Sequence, residues 1–142
     1  MLTVNLMPYQ FDFDPTHRIL RGRMLGPITD ELLKRFYKDM RECLELVSPC
    51  AGVADFSLVS QVKVTRETVL QLAESTPPNS DPRRPRVVIA GSPILFGLAR
   101  MFEMAVQEKR PNIHVVLTEQ EAWTILGLHE APEFTTSVRP PT

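Results

Sequence analysis

Apolar and polar positions change period several times along the chain, and each change predicts an element. Tyr9-Gln10-Phe11-Asp12-Phe13 alternates in steps of two, the pattern of a half-buried strand. Asp14-Pro15-Thr16 is a turn signal, and His17 to Leu25 reads as the returning strand of a hairpin, ended by Gly26-Pro27. The period then becomes helical. Leu32, Leu33, Phe36, Tyr37, Met40, Cys43, Leu44 and Val47 share one face, and Lys34, Arg35, Lys38, Asp39, Arg41, Glu42 and Glu45 the other. Thr29 caps this helix, and Asp30 and Glu31 put negative charge in its first turn, where the unpaired N–H groups favour it. Pro49 breaks it, and Cys50 to Asp55 is an apolar run suited to a strand buried on both faces.

Three strand–helix passages follow. A helix is expected from Thr65, turning Val69, Leu70, Leu72 and Ala73 inward, and Ser75 to Pro85 is a proline-rich polar loop. Arg86 to Ala90 is a strand, Pro93 to Glu108 a helix, and Ile113 to Leu117 a strand. Thr118-Glu119-Gln120-Glu121 is a capping box opening a short helix with Ala122, Trp123, Ile125 and Leu126. From His129 on, Pro132, Pro140 and Pro141 among scattered Thr and Ser predict a weakly ordered tail. The pattern is a single α/β domain over residues 1–128 with a tail at 129–142. Its sheet is mixed but mainly parallel, of about five strands with an antiparallel N-terminal hairpin, flanked by about four helices.

Composition narrows the function classes. At 142 residues, one domain buries roughly 68–70% of its unfolded surface. Hydrophobic content is 43% and formal net charge −1, so no global field draws in nucleic acid or an anionic membrane. Arg83, Arg84 and Arg86 cluster without interleaved aromatics, which reads as a solvated loop rather than a nucleic-acid surface. No apolar run approaches the roughly 20 residues that span a bilayer. Met1 to Pro8 lacks a basic segment and a long apolar one, so no signal peptide and a cytoplasmic location are expected. Cys43 and Cys50 form no framework and read as reduced thiols, a regulatory disulfide being the alternative.

The order of elements and several short motifs carry a resemblance. The hairpin and helix, the strand ending Ala54-Asp55-Phe56-Ser57, and the helix opened near Thr65 resemble the STAS domain. Val88-Ile89-Ala90-Gly91-Ser92-Pro93, Phe96 to Phe102 and Thr118 to Trp123 are similar to the SpoIIAA-like branch found in small bacterial proteins. The likeness runs from Tyr9 to Leu128 and implies a regulatory or binding module with a protein partner or a small apolar or anionic ligand. In STAS regulators an Asp-Ser-Ser-Gly segment is phosphorylated on its second serine by a partner kinase. Here Lys63-Val64-Thr65-Arg66 falls on those positions, so the resemblance implies Thr65 as the phosphorylated residue of an anti-sigma-antagonist-like switch. Lys63, Val64 and Arg66 depart from the pattern, and Thr65 also reads as a plain N-cap.

Catalytic and cofactor motifs are missing. Gly91 and Gly97 complete neither a Walker loop nor a dinucleotide fingerprint, and Ser92 lacks the flanking glycines of a nucleophile elbow. Ser92 as the nucleophile of a hydrolase or transferase needs a base, and His17, His114 and His129 lie on different elements. The histidines and cysteines have no metal-ligand spacing, so neither a metal nor a cofactor is expected.

Two surfaces remain. Ligands of parallel sheets collect beyond the carboxyl ends of the strands. There Asp55, Ser57 and Ser92, with Phe96 and Arg100 nearby, are the candidate ligand site, although helix capping alone also explains the hydroxyls. On the helix from Pro93, Ile94, Leu95, Leu98, Met101, Phe102 and Ala105 form the expected core stripe, with Phe96 on the wet side and Gly97 and Met104 on a flank. Phe96, Gly97 and Met104 are therefore the candidate partner surface, with a homodimer as one expected use.

Overall fold

In the computed structural model, which describes residues 8–141, the N-terminal alternation folds into β1 (Tyr9–Asp14) and β2 (Ile19–Thr29). They pair antiparallel, Tyr9 opposite Met24 and Asp14 opposite Ile19. The Asp14 carboxylate closes the turn by accepting the backbone N–H of Thr16 at 2.8 Å and of His17 at 3.1 Å. The chain continues through α1 (Asp30–Val47), β3 (Ala51–Lys63), α2 (Arg66–Ser75) and β4 (Arg86–Ile89). It ends with α3 (Pro93–Val106), β5 (Ile113–Val116), α4 (Glu119–Ile125) and β6 (Thr136–Val138). Each helix starts at the hydroxyl its sequence offers: Thr29, Thr65, Ser92 and Thr118 each accept the N–H three residues on.

The result is a single-domain α/β fold on one six-stranded mixed sheet in the order β5-β4-β3-β2-β1-β6. β2, β3, β4 and β5 run parallel; β1 is antiparallel to both its neighbours. Side chains alternate across it. Phe11, Leu20, Ala54 and Val88 pack under α1, where Phe36, Met40 and Cys43 are buried. α2 and α3 lie on the same face and join through Val69, Ala73, Phe102 and Val106. Ile19, Val53, Val87 and Ile89 line the opposite face beneath Ala122 and Trp123 of α4.

Four expectations are corrected. Gly26-Pro27 does not end β2, which runs on beside β3 from Leu25 opposite Leu58 to Thr29 opposite Lys63. The register shifts at Arg23/Leu25 and Gly26/Pro27 absorb a proline that has no N–H to give the ladder. The tail is anchored rather than weakly ordered. Thr136–Val138 pair with Phe11–Phe13, Glu133 donates its N–H to Asp14 Oδ2 at 3.1 Å, and Phe134 packs on Trp123. Leu70 faces solvent, because α2 rests on α3 through Val69 and Ala73, one residue off its direction. On α3 the inward stripe is Leu95, Ala99, Phe102 and Val106, so Ile94 and Ala105 are exposed and Phe96 turns half-buried towards the α1 cluster.

Cys43 and Cys50 are both free and buried; burial pushes the Cys43 thiol up to about 11 and raises Cys50 as well. The signal-peptide expectation concerns Met1 to Pro8, of which residues 1–7 lie outside the described ones.

Candidate ligand pocket

At the carboxyl end of the sheet Asp55 and Ser92 are engaged within the fold. Asp55, fully buried, accepts from Arg23 Nε at 3.2 Å and from the Ser57 N–H at 2.9 Å. Ser92 Oγ is committed to its cap, accepting the Leu95 N–H at 3.3 Å. Gly91, at φ +78°, presses against Ser57: a Cβ there would stand 2.7 Å from Ser57 Cα. Ser57 and Gly91-Ser92 are thus brought together, but the five candidate residues do not surround one space. Strand alternation puts Asp55 on the α4 face, whereas Phe96 packs on the α1 face. Arg100 is paired with Glu103 and borders a separate depression with Met104, Gln107 and His114.

The other candidates have local partners too. The Thr65 hydroxyl donates to Asp30 Oδ2 at 2.9 Å and its N–H to Asp30 Oδ1 at 2.8 Å, tying the start of α2 to that of α1. Those two bonds, the N–H bond first, hold the Asp30 carboxyl below its usual range. A phosphate on Thr65 would face that carboxylate, a repulsive arrangement. No hydrogen bond among the described residues joins a histidine to Ser92; His17 Nδ1 is bonded to Asp14 Oδ2 at 2.8 Å. Of the expected partner surface, Met104 and Gly97 are exposed and Phe96 is taken up by the core.

A different cavity opens at the amino end of the parallel strands. It has a volume of about 170 Å³ and lies between α1, the start of β4 and the loop that follows α2. Met40, Leu44, Leu72, Phe102 and Ile113 supply its apolar walls, and Pro77-Pro78 overhang it. Arg41, Arg84, Arg86 and Arg110 border it together with Tyr37; Glu45 is the one carboxylate among the lining residues. A smaller apolar cavity of about 40 Å³ between α1, α2 and α3 shares Tyr37, Leu72, Val88 and Phe102 with it.

Local folding explains how the cations come to line it. Arg86 opens β4 two residues before Val88, so strand alternation aims it at the α1 face. Its partner across the ladder is Gly52, where a Cβ would stand 2.9 Å from Arg86 Cδ; the glycine leaves room for the side chain to lie flat. Arg86 Nη1 then donates to the carbonyls of Cys50 at 2.9 Å and Pro85 at 3.1 Å. Arg110, just past α3, donates through Nε to the Pro77 carbonyl at 2.6 Å. Burial pulls Arg86 down to about 10, and the neighbouring Arg110 and Arg84 push the same way. Arg110 is lowered by burial and by Arg41, while the Tyr37 phenol is raised by its own burial.

The sequence groups Arg83, Arg84 and Arg86 as a solvated cluster; Arg83 lies exposed on Asp81 at 2.9 Å, whereas Arg84 and Arg86 are partly buried at the cavity. The usable signal was the period-two step from Val88 back to Arg86. Tyr37, Arg41 and Arg110 carry no local sign of a shared site.

Compared with family models, with curated proteins and with solved structures, the chain matches none. Among the described residues no group of three His, Cys, Asp or Glu side chains is placed to hold a metal ion, and no helix is long and apolar enough to cross a membrane.

Proposed function

We propose that the chain is a non-enzymatic binding module, similar in plan to the SpoIIAA-like STAS proteins, that takes a small ligand in the cavity at the amino end of its sheet. The observation that carries this reading is the cavity itself: apolar walls with a few convergent polar groups, held under a braced loop. The loop is tied down by Asn79 N–H to the Lys109 carbonyl at 2.8 Å and by Asn79 Nδ2 to the Arg84 carbonyl at 3.1 Å. A pocket formed before binding loses little ordering entropy when it fills.

A Ser92-centred hydrolase is the weaker reading, since the hydroxyl serves a cap and has no bonded base. A Thr65 phospho-switch is weaker as well, because Asp30 already occupies the hydroxyl. The two free buried thiols suit a reducing, cytoplasmic setting.

Native mass spectrometry of the purified chain, with thermal-shift screening of small apolar and anionic fragments, tests the binding role. A retained small molecule, or fragments that raise Tm, supports it. A bare chain that no fragment stabilises contradicts it.

A further inference from the structure

Resting on that binding role, we propose that the cavity selects a small organic anion, a carboxylate or phosphate monoester carried on a compact apolar body such as a single ring. Three observations converge. The first is unbalanced charge. Among the described residues Arg41, Arg86 and Arg110 have no carboxylate within salt-bridge distance, and all three border one cavity. Cations gathered this way repel one another, and an anion between them offsets that repulsion.

The second is unused donors. Arg86 engages only Nη1 and Arg110 only Nε, so the remaining N–H groups of both guanidiniums have no partner among the described residues. Arg84 Nε is buried with no hydrogen bond, its nearest carboxylate, Asp81, standing 3.6 Å away. A guanidinium fork held by one edge presents the other edge to a planar carboxylate or a phosphate.

The third is size and walls. The cavity of about 170 Å³ has room for a compact organic molecule, with apolar and cationic walls side by side. Leu44, Leu72 and Phe102 give the body of such a ligand an apolar seat, with the head towards Arg86 and Arg110.

Isothermal titration with benzoate and phenyl phosphate tests this, with benzyl alcohol as the uncharged analogue and inorganic phosphate as the bodiless anion. At least one of the two anions is expected to bind about tenfold or more tightly than both controls, and to weaken as salt is raised. Whichever of the two binds tighter assigns the head group. Arg86→Met is expected to remove at least about tenfold of that affinity. Because Arg86 also braces two carbonyls, Arg41→Gln is the second variant: it is exposed, makes no hydrogen bond among the described residues, and is expected to cost about threefold or more with an unchanged circular dichroism spectrum. Benzyl alcohol binding as well as the anions overturns the anion assignment and leaves the binding role standing. No binding by any probe overturns both. Anion affinity undiminished in the folded variants overturns the assignment to this cavity.

Discussion

The two ends of the parallel strands differ in what their polar groups do. At the carboxyl end the candidate groups serve the fold: Asp55 accepts from Arg23 Nε and the Ser57 N–H, Ser92 caps its helix, and Gly91 packs against Ser57. At the amino end guanidiniums surround a cavity, several N–H groups unspent, on a glycine that makes room for one of them. Residue types alone favoured the carboxyl end, because Ser, Asp and Gly at strand ends suit ligands and turns equally. What separates the ends is that the amino end gathers cations around a cavity.

This contrast makes substitutions at the carboxyl end costly to stability and silent in binding, and those at the amino end costly to binding. The largest effect is expected from Asp55→Ala, which leaves Arg23 and a backbone N–H without their acceptor. Breaking a buried pair costs about 3–5 kcal/mol, and the partial exposure of Arg23 brings the expectation to roughly 2–4 kcal/mol by urea denaturation. Gly91→Ala comes next, at about 1–3 kcal/mol, because it combines a left-handed φ with a backbone clash at Ser57. Neither variant is expected to change affinity for phenyl phosphate; a tenfold loss in a folded Gly91→Ala protein would move the site back to the carboxyl end.

In the hairpin turn Asp14 joins β1, β2 and the C-terminal segment. Its burial raises the carboxyl pKa, but the bonds from His17 and from the N–H groups of His17, Glu133 and Thr16 outweigh burial and hold it below the usual 3.8. The unfolded chain therefore takes up the proton first as pH falls. The stabilisation is full above about pH 4 and is lost as pH drops through the depressed folded pKa. Urea midpoints of the wild type are expected to fall more steeply between pH 6 and pH 3 than those of Asp14→Asn; parallel curves would show that Asp14 does not anchor the tail. The smallest effect is expected from Arg41→Gln, within about ±0.5 kcal/mol in stability, since the exposed guanidinium has no partner to lose.

The sequence shows most where the signal is local. The four caps are single-residue chemistry, and Thr29, Thr65, Ser92 and Thr118 each act at the position their hydroxyls predict. β6 was hidden because three largely exposed residues carry no apolar alternation; their partner, β1, lies over a hundred residues away. The facing of α3 departs from a single helical stripe because the helix packs against both the sheet cluster and α2, so its buried arc takes in Phe96 and leaves Ile94 outside. The cavity is hidden for a related reason: Arg41 on α1, Arg86 on β4 and Arg110 in the loop after α3 are far apart in sequence, and the tertiary fold makes them neighbours.

Backbone amide shifts of the ¹⁵N-labelled chain, followed by NMR during titration with phenyl phosphate, locate the anion on one end of the sheet or the other. The predicted result is saturable shifts concentrated at Gly52, Asn79, Arg86 and Arg110, with Ser57, Ser92 and Thr118 unmoved. Shifts concentrated at Ser57, Ser92 and Thr118 instead would contradict it.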